Sequence, residues 1–228
     1  CDVYFYQIAL KTGINRIHNM ARRLGLGDVS ALGLVSEKEG IIPNRDWKLE
    51  KRGVVWTPGE TVVAGIGQGF VLTTPLQLAL MTARIANGRS AITPSLITQK
   101  NSEESASFPP LAVSPDIIRF LHKSMRKVMA GGLGTARKHD INQGMAGKTG
   151  TVQVKRITKE QREKGIVDNI DRPWKERDHA LFVAFAPYKK PRYAISVIVE
   201  HGGSGSSAAA PIAQDIMDFM LKSDSMSA

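Results

Sequence analysis

The chain has 228 residues, enough for one sizeable domain with a real hydrophobic core, and its 42% apolar content is globular rather than disordered. The 31 basic side chains outnumber the 21 acidic ones, a net charge of +10 read as a generally basic surface that is compatible with an acidic polymer or membrane partner. Aromatics are only 6%, and no stacking, zinc-finger or helix-turn-helix pattern stands among the basic residues, so nucleic acid is disfavoured and no nucleic-acid partner is expected.

No apolar run reaches the roughly 18 residues that a membrane-crossing helix needs, and a single cysteine, Cys1, rules out an internal disulfide without reporting a compartment. The chain carries no signal peptide and opens without an initiator methionine, which leads us to expect an export or anchoring segment upstream.

Residues 2–24 read as helix, with Phe5, Ile8, Ala9, Ile17, Met20, Ala21 and Leu24 at spacings of three and four and Gly13 as an interruption. Residues 25–62 read as irregular, rich in Gly, Pro and charge, with Trp47 and Trp56 as packing anchors. In Ala64–Phe70, Gly65, Gly67 and Gly69 alternate with other residues. The phosphate-loop spacing and its Lys-Ser/Thr are missing, which leaves a tightly bending backbone rather than a nucleotide site. Thr74 caps a helix whose first residue is Pro75 and whose apolar side chains run nearly all round, so it belongs in the core; Gly88 ends it.

Residues 99–112 read as a polar surface loop. Ser114, Pro115 and Asp116 then start a helix with Ile117, Ile118, Leu121, Met125, Val128 and Met129 on its apolar face. From Ile117 to His139 there is no acid, and Arg119, Lys123, Arg126, Lys127, Arg137 and Lys138 form a basic run, read as a solvated face. A strand is expected over 150–155, then a charged, exposed excursion over 155–178. Strands 180–187 and 193–200 follow, joined at hairpin length and covered on both faces. Residues 202–207 read as a flexible link to a last helix that begins near Pro211 and buries Ile212, Ile216, Phe219 and Met220. The resulting class is α+β: an antiparallel sheet flanked by helices, with 1–145 a mainly helical block and 146–228 the strands and C-terminal helix.

The stretch with the most chemistry is Ala146–Val154. Lys148, Thr149 and Thr151 bring one cation and two hydroxyls to a strand, and Gly150 lets another backbone approach it closely. That set suits an anionic group on an extended ligand. His18, His122, His139, His179 and His201 have no ligand spacing, so no metal is expected.

Lys148-Thr149-Gly150 is also a signature triplet of penicillin-reactive serine enzymes. With it, Cys1–Gln7, Ala64–Gly69 through Thr73–Gln77, Gly131–Ala136 and His179–Pro187 make nearly the whole chain resemble the C-terminal part of a class B penicillin-binding protein transpeptidase domain. The nearest resemblance is to the elongation-type penicillin-binding protein 2 group. It implies the penicillin-binding, β-lactamase-like transpeptidase fold with its N-terminal part missing, and hence three sheet strands where the whole domain has five. It implies acyl-serine D,D-transpeptidation of peptidoglycan stem peptides ending in D-Ala-D-Ala, reaction with β-lactams and no cofactor. It also implies a membrane anchor and elongation-complex partners, on the periplasmic side of the bacterial inner membrane.

By the same resemblance Asp2 closes a second motif, Ser-x-Asp or Ser-x-Asn, whose serine would precede Cys1. Lys148 supplies positive potential and holds that serine. Thr149 and Thr151 bind the substrate's terminal carboxylate beside Gly150, and the Thr151 N–H joins the oxyanion hole.

The family's Ser-x-x-Lys should lie before Cys1. The only Ser-x-x-Lys in the chain, Ser124–Lys127, falls in the wrong order on an ordinary helix, as does the Ser-x-Asp of Ser114–Asp116. The expectation is therefore a fragment that carries the carboxylate wall without the nucleophile, inactive alone and a doubtful soluble monomer. A D,D-carboxypeptidase or β-lactamase relative and a non-catalytic β-lactam sensor remain as alternatives.

Overall fold

In the computed structural model, the described residues are 2–30, 32–97, 108–155, 158, 163, 165 and 167–226. Cys1, most of the 99–112 loop and part of the 155–178 excursion lie outside them. Among the described residues seven α-helices precede or follow one three-stranded sheet: α1 Asp2–Thr12, α2 Ile14–Arg23, α3 Arg45–Arg52, α4 Pro58–Ala64, α5 Pro75–Asn87, α6 Pro115–Ala130 and α7 Ala210–Met226. The strands are β1 Ala146–Val152, β2 His179–Ala186 and β3 Tyr193–Val199, antiparallel in the order β1-β2-β3. The chain divides into two compact units, residues 1–84 with 88–113, and 85–87 with 114–228.

In the first unit Gly13, at φ 80°, breaks the expected helix into α1 and α2. Gly65 has no room for a side chain: an added Cβ would sit 2.3 Å from the Ala9 Cβ, so the glycine lets α4 and α1 pack at close range. Gly67 and Gly69 follow with positive φ and turn the chain.

The 25–62 stretch is not wholly irregular; it holds α3 and α4. Arg45–Arg52 has no apolar stripe to betray a helix. It is fixed instead by its ends, with the Asn44 side chain accepting from the Trp47 N–H at 2.7 Å and Gly53 closing it in the left-handed conformation. It is fixed too by Lys48, 6% exposed, whose Nζ donates to Val55 O and Glu60 Oε2, both at 2.7 Å. Trp47 packs on Phe70, and Trp56 donates to Thr61 Oγ1 at 2.8 Å, so both indoles anchor packing as expected.

Thr74 and Gln77 form the capping box of α5. The buried Gln77 amide also donates to Asp28 O and Glu39 O, both at 2.8 Å, pinning the preceding loop.

In the second unit the sheet starts earlier than expected: β1 covers 146–152, not 150–155, so Lys148-Thr149-Gly150 lies within the strand. Small residues explain this. Ala146 and Gly147 pair with Phe185 and Ala184 of β2, where a Cβ on Gly147 would come 2.7 Å from Phe182 Cζ.

Phe182 and Ala184 pack in one cluster with Ala209, Ala213 and Met217 of the C-terminal region. On the other face, Phe185 stacks against His122 of α6. The sheet thus carries α7 on one side and α6 on the other. Coverage is uneven: β2 is largely buried, whereas every residue of β3 is half-exposed.

Residues 202–207 are not a loose link. Gly205–Ala209 form a π-helical turn that runs straight into α7, and a Cβ on buried Gly205 would lie 2.2 Å from Leu181 O. That close approach sets the rotation of α7. Ala210, Ala213, Met217 and Leu221 face the sheet, while Ile212, Ile216, Phe219 and Met220, expected to be buried, are 37–71% exposed.

Candidate functional site

The site is built on β1 at the end of the sheet. Among the described residues β1 pairs with a strand on one side only, which suits its other edge to the backbone of an extended ligand. Alternation along a strand separates its functional side chains. Lys148 stands opposite Val183, and Thr149 and Thr151 stand opposite Phe182 and Ala180 on the α7 side. A ligand laid along the edge therefore meets an ammonium from one face and two hydroxyls from the other.

Lys148 lines an open, mostly apolar cavity of about 570 Å³ with Ser124, Lys127, Val128 and the Gly131–Thr135 loop. Its Nζ donates to Thr149 O at 2.6 Å. The residue is exposed overall, yet protein packed about its ammonium disfavours the charged form and moves its pKa below the ordinary lysine value.

Thr149 is positioned by a residue that the strand motif does not contain. The loop after α6 folds back on the helix end, with Ala136 N–H donating to Val128 O at 3.1 Å. Gly134 permits this, since a Cβ there would meet Val128 O at 2.4 Å. The fold-back brings Thr135 Oγ1 within 3.2 Å of Thr149 Oγ1. Gly131–Ala136 stands out in the sequence as a glycine-rich stretch, and the signal for Thr135 is only a hydroxyl-bearing residue within that loop.

A charged network holds the entry to β1. Arg126 of α6 donates from Nη1 to Asp140 Oδ1 and to Met145 O, each at 2.7 Å, and Met145 N–H donates to Asp140 Oδ1 at 2.9 Å. Burial alone would raise the Asp140 pKa; the Arg126 guanidinium and the N–H donors of Met145 and Ile141 outweigh it and hold the carboxyl below the usual range. The basic run is thus not all solvated, since Arg126 is built into the structure.

The remaining predicted residues are placed as follows. Lys148, Thr149, Gly150 and Thr151 share β1. Asp2 opens α1 in the first unit, exposed at the positive end of the helix dipole. Ser124 lies mid-helix in α6 with its hydroxyl donating to Phe120 O at 2.8 Å, and Ser114 caps that helix through the Asp116 N–H. Among the described residues no three His, Cys, Asp or Glu side chains gather as a metal site.

An open strand edge that pairs a lysine with threonines, backed by one helix on each face of an antiparallel sheet, defines a class. Residues 1–218 match the model of the penicillin binding protein transpeptidase domain, and the chain belongs to that family.

More particularly, it is 37% identical over 233 residues to the peptidoglycan D,D-transpeptidase MrdA of Acinetobacter baumannii, covering 97% of this chain and 33% of that protein. To the MrdA of Haemophilus influenzae it is 34% identical over 229 residues, covering 96% of this chain and 35% of that protein. The chain thus spans about a third of the length of these curated relatives.

Among solved structures, Pseudomonas aeruginosa PBP2 in complex with WCK 5153 superposes with a TM-score of 0.80 at 39% identity, covering 96% of this chain and 47% of that one. The Helicobacter pylori complex between PBP2 and MreC gives 0.80 at 31%, covering 97% and 38%.

Proposed function

We propose that these residues form the carboxylate-binding wall of a serine-type peptidoglycan D,D-transpeptidase that serves wall elongation and rod shape. The observation that carries this reading is the position of β1 at the end of the three-stranded sheet, with Lys148 on one face and Thr149 and Thr151 on the other. An extended peptide ending in D-Ala-D-Ala adds to that edge, its terminal carboxylate taken by the two threonine hydroxyls. A serine outside these 228 residues attacks the penultimate carbonyl and expels the last D-Ala. The resulting ester then passes to an amine of a neighbouring strand. The Thr151 N–H helps hold the oxyanion. Lys148, its charged form disfavoured, supplies potential and orients a serine of the second motif, which Asp2 closes. β-Lactams enter the same wall through their own carboxylate.

By analogy with the H. pylori complex, a protein partner of the MreC type engages the whole protein. An anchor upstream would hold it at the periplasmic face of the inner membrane.

Labelling with a fluorescent penicillin tests this. The full-length protein is expected to label, Lys148→Ala to label at least about 100-fold more slowly, and Ser124→Ala to label like the parent. The 228 residues alone are expected not to label; stoichiometric labelling of that polypeptide would overturn the assignment of the nucleophile.

A further inference from the structure

We infer that Asp178 is a positioning residue for this site: it holds the outgoing end of β1 and, through it, the Thr151 hydroxyl proposed to take the terminal carboxylate. This inference rests on the transpeptidase reading and deepens it. Asp178 stands just before β2, next to the last pair of the β1–β2 ladder, Val152 with His179. Thr151, opposite Ala180, belongs to the pair before that. The end rungs of a ladder open first, because each has a neighbouring rung on one side only. Thr151 therefore sits where the sheet would fray.

Asp178 closes that end from beyond the ladder. The Val154 N–H donates to its Oδ1 at 3.2 Å, so a side-chain oxygen takes the place of a further rung. The other oxygen, Oδ2, accepts from Asn169 Nδ2 at 2.9 Å and pairs with Arg172 Nη1 at 3.4 Å. Its own N–H donates to Asn169 Oδ1 at 3.0 Å, and its carbonyl accepts from the Gly203 N–H at 2.8 Å. Every hydrogen-bonding group of Asp178 is thus engaged. The Arg172 and Asp178 side chains are only 13% and 14% exposed, so salt screens the pair weakly. Arg172 is fixed in turn: its Nε donates to Val167 O at 3.0 Å, and its carbonyl accepts from Arg177 Nε at 3.1 Å.

Fastening one leg of the chain to the other does not by itself require this residue. Lys155 and Glu176 bridge the same two legs at 2.7 Å, but at 44% and 38% exposure such a pair contributes little. Asp178 differs in gripping a backbone N–H of the strand end itself, three residues after Thr151. Its carbonyl also joins that end to Gly203, two residues before the glycine that packs against Gly150. One residue thus ties the end of the proposed carboxylate wall both to β2 and to the turn behind it.

The test follows acylation of the full-length protein as the concentration of a fluorescent penicillin is raised, which separates initial binding from the chemical step. In Asp178→Ala the initial dissociation constant is expected to rise roughly tenfold, as for one lost hydrogen bond to a charged group. The limiting acylation rate should stay within about twofold of the parent's. An unfolded fraction lowers the amount of protein labelled and moves neither constant, so loss of structure alone does not give this split. Asp178→Asn, which keeps an acceptor for the Val154 N–H, should bind more tightly than Asp178→Ala, and Glu176→Gln should behave like the parent. An unchanged dissociation constant in Asp178→Ala, a loss confined to the limiting rate, or an asparagine variant no better than the alanine one overturns the positioning role and leaves the transpeptidase reading intact. A full-length protein that takes no penicillin overturns that reading, and this inference with it.

Discussion

Thr135 shows how one hydroxyl outside a motif can set the geometry within it. Its bond to Thr149 at 3.2 Å limits the rotation of a side chain proposed to meet the substrate carboxylate. Thr135→Val keeps the shape and removes the bond, worth about 0.5–1.5 kcal/mol net. The expected result is a three- to tenfold slower penicillin acylation of the full-length protein, with Thr135→Ser restoring most of it. An unchanged acylation rate in Thr135→Val would refute the positioning role. Lys148, Gly150 and both strand threonines were legible in the sequence because they are contiguous on one strand. Thr135 was not, because its partnership spans 14 positions and exists only once the glycine loop folds back on α6.

At the scale of elements, the ends of helices proved the clearest signals. Thr74 before Pro75 and Ser114 before Pro115 each mark a helix start that the structure bears out, since capping is local chemistry. Polar α3 escaped notice because burial of one lysine, not an apolar stripe, holds it. The C-terminal helix was found but turned the wrong way: it has two apolar faces, and the close approach of Gly205 selects the alanine-rich one for the sheet.

The Arg126–Asp140 pair joins α6 to the entry of β1, and it gives a pH prediction. Asp140 has a folded-state pKa below its unfolded value, so its contribution is fully present above the ordinary carboxylate range and is lost as pH falls through the depressed value. Asp140→Asn should cost about 1–3 kcal/mol at neutral pH and flatten the acid limb of a urea-midpoint profile. Parallel acid limbs in parent and variant would show that the pair does not carry this dependence.

At the scale of the whole molecule, Ile212, Ile216, Phe219 and Met220 line the outer face of α7 beside a half-exposed β3. An apolar face of that kind does not rest in water. The 228 residues alone should therefore self-associate, with light scattering after size-exclusion chromatography giving a mass above 24.9 kDa. Ile216→Glu with Phe219→Glu should return the monomer. A monomeric parent polypeptide would count against this.

The turn before α7 bears on the site in a different way. A Cβ added to Gly205 would lie 2.6 Å from Gly150 O and 2.2 Å from Leu181 O, so only a residue without a side chain fits there. The strand proposed to receive the ligand is thus backed by main chain, which does not change rotamer as a side chain does. Displacement of this strand is therefore coupled to the turn that opens α7. The backing of the proposed carboxylate wall thus comes from the last 25 or so residues of the sequence as well as from the motif itself.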